Sequence, residues 1–381
     1  MTLNQILPQI DLAPDMIHLG IGQPSPHLLP LKEMENAAAH SLSKGKSFFL
    51  AYGEAEGNGN FRETLAGFLT DQYSNPVDPD QLLITNGNSQ GLDFICTLFT
   101  RPGDTVLVEE PSYFLALKIF ADHKLNLVSI PVDDNGLITD VLKERLETMT
   151  PAFLYTIPTY HNPASVTLSA KRRKELVRIC AQKNLLVVAD EVYHFLNYSD
   201  DPPPPMGTWS NICPLISLGS FSKILAPGLR LGWMHASQDL VKKMAGAGLL
   251  VSGGGFNPFT SEIVNSVIFL GFLKTHIQRL KDVYRQRIET FCNQLYRHLP
   301  DQAVFKVPKG GYFVWVKFPD GIDTNSFRKA AQNQNVDFHP GSLFSHKKQL
   351  NNYMRLCFAF YDDKILEEGA RRIGKVLSTQ F

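Results

Sequence analysis

Several features that would commit this chain to a structural class or partner are scarce or missing. Cysteine is scarce and scattered: Cys96, Cys180, Cys213, Cys292 and Cys357 are all there is in 381 residues. Their number is odd and none forms a Cys-x-x-Cys pair, which argues against a disulfide framework or a zinc site. A reduced cytoplasmic compartment fits that usage. Charge of either sign is not in excess, since 37 Lys and Arg balance 37 Asp and Glu for a formal net charge of +0. That balance provides neither a basic face for nucleic acid nor an acidic tail. No apolar run reaches the roughly 18 residues that mark a membrane span. The opening Met1-Thr2-Leu3-Asn4-Gln5 lacks the basic-then-apolar pattern of a signal peptide. The expectation is a cytoplasmic protein with no nucleic-acid or membrane partner. There is also no internal repeat and no low-complexity tract.

What is present is apolar substance, 44% of the residues. That is enough for a large core and a second, smaller domain. From Gln81 onward, apolar runs alternate with helical patterns. Gln81 to Thr85, Thr105 to Glu109, Asn126 to Val132, Ala152 to Thr156, Leu185 to Ala189, Pro214 to Leu218 and Leu231 to His235 read as strands. Leu92 to Phe99, Tyr113 to Ala121, Asp140 to Thr148 and Ala170 to Lys183 read as helices between them. Near-continuous apolar strands alternating with helices predict an α/β domain on a mostly parallel sheet. A helical stretch from about Thr260 to Leu299, with a kink, leads into an α+β remainder with strands at 303–307, 311–316 and 353–358. Earlier, Leu31 to Ser43 reads as a helix, and Asn60 as the cap of another that runs to Tyr73.

Ligands of such sheets bind beyond the carboxyl ends of the strands. The polar residues just past those ends are Asn88-Ser89-Gln90, Tyr113, Tyr160-His161-Asn162-Pro163, Asp190-Glu191-Val192-Tyr193 and Ser220-Phe221-Ser222-Lys223. All five groups are expected on one rim. The turn Asn86 to Gly91, between a strand and a helix N-terminus, suits an anion. It matches neither dinucleotide nor Walker spacing, so it argues for a phosphate without arguing for a nucleotide. Lys223 sits on a small-residue turn broken by Pro227, Gly228 and Gly232, with Arg230 seven residues on. That placement suits a nucleophile beside an anion site, and also suits a plain loop lysine.

The rim as a whole narrows the choice. Asp190 leaves an all-apolar strand, and a buried carboxylate needs a cationic partner. Tyr113 can stack on a ring, Ser220, Ser222 and Arg230 can hold phosphate, and Lys223 can attack an aldehyde. Phosphate, flat cationic ring and aldehyde together describe pyridoxal 5'-phosphate. Asp190 would keep the pyridine nitrogen protonated, while Tyr193 and Asn162 would hydrogen-bond the ring oxygen. Lys223 would form the Schiff base and then move the substrate's α-proton. Its amine is too basic for that unless burial and Arg230 lower its pKa. Arg355 can clamp a substrate carboxylate. The segment Ile17 to Pro26 can lie across the cleft, with Gly22 letting the backbone approach a substrate.

These motifs are similar to those of the class I/II aminotransferases among the fold-type-I pyridoxal-phosphate enzymes. The carriers are Tyr52 with Gly57, Gly59-Asn60-Phe61-Arg62, then Ser89-Gln90, Glu110-Pro111-Ser112-Tyr113, Asn162-Pro163, Asp190-Glu191-Val192-Tyr193, Ser220-Phe221-Ser222-Lys223, Pro227-Gly228-Leu229-Arg230, Gly310-Gly311-Tyr312-Phe313 and Arg355-Leu356. Within the family the chain looks closest to the aminoadipate/kynurenine and valine–pyruvate type branches. The resemblance implies a large pyridoxal-phosphate-binding domain and a small α+β domain, divided here as residues 1–45 and 286–381 (small) around 46–285 (large). It also implies a homodimer with shared sites, in which Tyr52 reaches the partner's phosphate. The implied reaction moves an amino group from an L-amino acid to a 2-oxo acid such as 2-oxoglutarate or pyruvate. One departure stands out: Ala164-Ser165 follow Asn162-Pro163 where the family usually has Thr-Gly.

Three rival readings follow from the same residues. Ser220-x-x-Lys223 matches an acyl-enzyme pattern, but the S-D-N and K-T-G elements it needs do not occur. A regulator built on this fold would carry a DNA-binding domain before Ile17. A β-lyase or cyclising synthase would use the same site and is excluded least. The first arginine is Arg62, and Ile17, Leu19, Ile21, Leu28 and Leu29 make the N-terminal segment apolar. That pattern favours aliphatic or aromatic substrates.

Overall fold

The computed structural model describes residues 15–43 and 47–378. The opening pentapeptide lies outside the described residues. Thirteen strands are described: β1 (Ile17–His18), β2 (Leu82–Thr85), β3 (Thr105–Glu110), β4 (Asn126–Asp133), β5 (Gly136–Leu137), β6 (Phe153–Thr156), β7 (Leu186–Asp190), β8 (Leu215–Ser220), β9 (Gly232–Ala236), β10 (Phe313–Lys317), β11 (Val336–Asp337), β12 (His339–Pro340) and β13 (Tyr353–Cys357). The α-helices among the described residues are α1 (Leu31–Ser43), α2 (Gly59–Tyr73), α3 (Asn88–Phe99), α4 (Phe114–Asp122), α5 (Thr139–Thr148), α6 (Ala170–Lys183), α7 (Gln238–Ala245), α8 (Gly248–Gly253), α9 (Pro258–Phe269), α10 (Phe272–His298), α11 (Thr324–Gln332) and α12 (Asp363–Leu377).

The main sheet has the order β2-β9-β8-β7-β6-β3-β4-β5. β8, β7, β6, β3 and β4 are mutually parallel. β9 runs antiparallel to both β8 and β2, so β2 points the same way as β8. Both faces are covered. Val106, Val108, Phe153, Tyr155, Val188 and Leu218 pack into one apolar cluster. Their alternates Leu107, Leu154, Val187 and Ala189 pack into another. That two-sided burial explains why β6, β7 and β8 read as near-continuous apolar runs. The common direction of β2, β3, β6, β7 and β8 brings their carboxyl ends to one edge.

A second sheet, β10-β13-β12, is antiparallel. β1 pairs with β11 in parallel, Ile17 with Val336 and His18 with Asp337. The N-terminal segment therefore joins the C-terminal part of the chain before it reaches the large sheet.

Three sequence expectations need correction. The helix from Thr260 to Leu299 is two helices, broken where Gly271 takes φ +77° between α9 and α10. Phe269, Leu270 and Phe272 keep the apolar pattern running through it, so the sequence suggests a kink and not a full break. The strand at 303–307 reduces to one bridge between Val304 and Lys317. The cap of α2 is Asn58, not Asn60: the Asn58 side chain accepts the Phe61 N–H at 2.9 Å.

Candidate active site

β7 ends in Asp190, which is 5% exposed. Its Oδ1 accepts from Asn88 Nδ2 at 2.8 Å and its Oδ2 from the Tyr155 hydroxyl at 2.9 Å. Among the described residues no cation lies within ion-pair distance of it. Burial pushes the carboxyl above its ordinary pKa, against the pull of Asn88, Tyr155 and, further off, Lys223. A buried carboxylate served only by neutral donors still has room for a cation.

β8 ends in Ser220, and the turn that follows carries Lys223. Gly219 is required just before it, because a Cβ there would sit 2.0 Å from Trp233 Cε2. Lys223 Nζ donates to Gly22 O at 2.8 Å. Desolvation lowers its amine to about 8. The expectation of a lysine with a lowered pKa therefore has burial as its first cause, with Arg355 and Arg230 adding to it. Tyr312 closes this side. Its hydroxyl donates to Lys223 O at 3.1 Å, and its ring centroid is 5.5 Å from the amine.

The anion cradle forms where β2 turns into α3. Gly87, the residue before the helix, has φ +82° and offers no side-chain cap. A Cβ on it would meet Arg230 Nη2 at 3.0 Å. Arg230 is itself in the left-handed region at φ +47°. Its backbone carbonyl is held by Asn257 Nδ2 at 2.7 Å, and its Nη2 reaches Asn86 O at 3.3 Å. Ser220 Oγ accepts the Ser222 N–H at 3.1 Å. The Gln90 side chain turns back to accept the Asn86 N–H at 3.1 Å. Gln90 and Ser89 thus offer this edge the N-terminal amides of α3.

Asn162 and Arg355 meet. Arg355 Nη1 donates to Asn162 Oδ1 at 2.9 Å, and Nη2 to Gly20 O at 2.7 Å. The guanidinium lies 4.0 Å from the Phe313 ring centroid and 4.9 Å from that of Phe344. It is buried, which lowers its pKa to about 10, and its Nε has no hydrogen-bond partner. Gly22 borders the same group, since a Cβ there would be 3.0 Å from Phe313 and 3.9 Å from Arg355 Nη2. The Tyr193 ring packs edge-on against Tyr312 and Phe313, and its hydroxyl has no hydrogen-bond partner among the described residues. Tyr113 starts α4 close enough to Asp190 that burial and that carboxylate push its phenol up to about 12.

The Asn162 loop is propped from below. Glu109 accepts from Thr156 Oγ1 and Ile157 N, both at 2.7 Å, and faces His161 Nε2 at 3.0 Å. His161 Nδ1 accepts the Ala164 N–H. Ser165, at φ +61°, donates its hydroxyl to Phe313 O at 2.6 Å. A left-handed residue in that place accounts for the glycine usual in the family, and here the hydroxyl compensates.

Lys223, Asp190, Asn162, Tyr193, Tyr113, Ser220, Ser222, Arg230, Arg355, Gly22 and the start of α3 therefore share one edge. Tyr52, expected at a partner's phosphate, is 89% exposed. Asn88 belongs to the rim group expected from the sequence, whereas Tyr155 and the carbonyls of Gly20 and Gly22 add to it. A tyrosine in an otherwise apolar strand next to the one bearing Asp190 was the available signal. Ile17, Leu19, Ile21 and Leu28 are core residues and Leu29 is partly exposed. Packing explains the apolar character of the first four, which therefore carries no information about the substrate.

The residues fit pyridoxal phosphate on structural grounds: a buried carboxylate met only by neutral donors among the described residues, a lysine amine just past the end of the neighbouring strand, and a glycine cradle at a helix N-terminus beside an arginine. The model of the class I and II aminotransferase family matches residues 14–373. Aromatic-amino-acid aminotransferase 1 of Thermococcus litoralis is 33% identical over 371 residues, 96% of this chain and 89% of that protein. The 2-aminoadipate transaminase of Thermus thermophilus is 31% identical over 384 residues, 99% of this chain and 93% of that one. The kynurenine aminotransferase of Pyrococcus horikoshii, crystallised with PMP, superimposes with a TM-score of 0.92 at 32% identity, over 100% of this chain and 94% of that one. With that fold and that site, the chain belongs to the class I and II aminotransferases and is a pyridoxal-phosphate-dependent transaminase.

Proposed function

We propose that the enzyme transfers the amino group of an aliphatic or aromatic L-amino acid to 2-oxoglutarate or pyruvate. The observation that carries this reading is the placement of the Lys223 amine and the Asp190 carboxylate at one sheet edge with Arg355 nearby. The rings of Phe114, Phe313 and Phe344 around Arg355 supply an apolar setting beside the carboxylate clamp. An aromatic-amino-acid transaminase among the relatives agrees with it.

The roles follow from the chemistry of each group. Bound pyridoxal phosphate supplies an aldehyde for the amino group and a ring that accepts the electron pair left at the substrate α-carbon. Asp190 holds a proton on the ring nitrogen, and Asn88 and Tyr155 keep that carboxylate oriented. The amides that begin α3, at Ser89 and Gln90, together with Ser220, Ser222 and Arg230, bind phosphate. Tyr113 would cover the ring face, and Tyr193 and Asn162 would donate to the ring oxygen. Arg355 fixes the substrate carboxylate, with Gly22 giving the substrate room. Lys223 Nζ removes the α-proton, a task for which a pKa of about 8 suits it far better than 10.5.

The working unit we propose is a homodimer. Leu50, Tyr52, Leu249, Val251 and Phe259 are exposed, and Gly255 N–H to Glu54 O at 2.7 Å joins the two segments that carry them. A second copy would cover this face and place Tyr52 at its partner's phosphate. The proposed division is a large domain of 46–285 and a small one of 1–45 with 286–381. We further assign the enzyme to the cytoplasm.

A panel of L-phenylalanine, L-leucine, L-methionine, L-2-aminoadipate and L-aspartate with 2-oxoglutarate or pyruvate tests the reading. A new amino acid from the acceptor supports transamination. Pyruvate and ammonia released without an acceptor would indicate a lyase. Aminoadipate or aspartate far ahead of the apolar donors would overturn the proposed substrate class.

A further inference from the structure

Arg355 does not stand alone; it is tied to a polar chain that begins on the far side of the N-terminal segment. Arg328 on α11 grips Asp337 through Nε at 2.7 Å and Nη2 at 3.0 Å. Gln332 Nε2 and the Phe338 N–H add bonds of 3.1 and 2.7 Å to the same carboxylate. Asp337 pairs in register with His18, and its Oδ2 faces His18 Nε2 at 3.6 Å. On its other side, His18 Nδ1 accepts the Gly20 N–H at 3.0 Å. That bond makes Nδ1 the bare nitrogen and puts the proton on Nε2, toward Asp337. Burial lowers the ring's pKa, which keeps it neutral.

Gly20 is the link. Its N–H is held by His18 and its carbonyl receives Arg355 Nη2 at 2.7 Å. A glycine has the widest backbone freedom of any residue, so pinning both ends of this one matters. A side chain is not an alternative means of fixing it. A Cβ here would meet His18 Cε1 at 2.6 Å and His339 Nδ1 at 2.8 Å. Arg355 then has two polar anchors, Gly20 O and Asn162 Oδ1.

We propose that His18 is a positioning residue for the substrate carboxylate: by accepting the Gly20 N–H it fixes the turn whose carbonyl aims Arg355. It touches neither substrate nor cofactor. The inference rests on the reading of Arg355 as the carboxylate clamp. Both half-reactions present a carboxylate to the same guanidinium, so the loss of His18 acts on donor and acceptor alike.

The test uses the holoenzyme with the leading donor of the panel above and 2-oxoglutarate. His18→Leu should raise both KM values by about tenfold, the size of one well-placed hydrogen bond, with kcat within about twofold and the visible spectrum unchanged. His18→Asn puts an amide oxygen where Nδ1 was and should bring both KM values back to within about threefold of wild type. His18→Gln carries its amide at the Nε2 position and should stay impaired. On an Arg355→Lys background, His18→Leu should add less than about twofold, because the two residues act through one contact. A fall in kcat with unchanged KM values would overturn the proposal. So would the full factor persisting in the Arg355→Lys background, or His18→Asn doing no better than His18→Leu. Arg355→Lys with normal KM values would instead refute the clamp itself.

Discussion

Arg355 Nη1 donates to Asn162 Oδ1 at 2.9 Å, joining the residue expected on the substrate carboxylate to the residue expected on the cofactor ring. A guanidinium only donates, so the atom facing it is the amide oxygen, and Nδ2 is left to donate elsewhere. On the proposed roles, one side chain would serve both ligands. Asn162→Ala should lower kcat/KM by roughly 10- to 100-fold, with both KM and the visible spectrum altered. Asn162→Asp should raise KM further than Asn162→Ala, because its carboxylate neutralises Arg355 and competes with the substrate. Steady-state kinetics of the two variants decide the matter. An Asp variant that binds substrate better than the Ala variant would contradict the shared role.

The amine of Lys223 should report its burial through pH. Its pKa falls from 10.5 to about 8, so the unfolded chain binds more protons than the folded one between those values. Stability of the cofactor-free protein should therefore rise with pH across that window, with the full penalty present below about 8. Lys223→Met should be more stable than wild type at pH 7, by at most about 3 kcal/mol, and the gap should shrink toward pH 10. Uptake of pyridoxal phosphate by cofactor-free wild type should accelerate with a midpoint near 8, since only the neutral amine attacks. Urea melts and stopped-flow absorbance test the two halves. A gap that does not change with pH would contradict the burial of the charge.

Ser165 occupies a left-handed position at φ +61° and offsets the strain with a 2.6 Å bond to Phe313 O. Ser165→Ala keeps the strain and loses the bond, and should cost about 1–2 kcal/mol. Ser165→Gly loses the bond but relieves strain worth about 1–2 kcal/mol, so it should be close to neutral. Thermal melts that rank Ala above Gly would contradict this account.

Two glycines flanking Lys223 should behave oppositely. A Cβ on Gly219 would collide with Trp233, whereas nothing lies within 4 Å of one on Gly228. Gly219→Ala should cost about 3 kcal/mol or fail to fold, and Gly228→Ala should stay within about 0.5 kcal/mol of wild type. Denaturant midpoints of the pair provide the comparison.

What could be read in advance depended on whether a residue's role was local. The placement of Asp190 and Lys223 at the rim was legible because near-continuous apolar strands give way to polar residues there, and that pattern is written along the chain. The anion cradle was legible for the same reason, as a strand turning into a helix at Gly87. Tyr155 was not, because its hydroxyl matters only once β6 lies beside β7 and reaches Asp190. The carbonyls of Gly20 and Gly22 have no side-chain signature at all. The apolar pattern at Leu19 and Ile21 points to no substrate class, because an apolar side chain looks the same whether it meets a substrate or, as here, a core. The alternation of strands and helices made the parallel sheet legible, whereas β9 running antiparallel inside it carries no mark in the sequence. The kink in the long helical stretch was legible, but not that it is a full break at Gly271, because apolar residues continue on both sides.

The central claim is that Lys223 is the amine that engages pyridoxal phosphate opposite Asp190. The absorption spectrum of the purified protein tests it most directly. Wild type should show a visible band that changes when an amino donor is added, and Lys223→Ala should lose both the band and turnover. A wild-type protein that stays colourless and takes up no pyridoxal phosphate, or a Lys223→Ala variant with an unchanged band, would contradict the account.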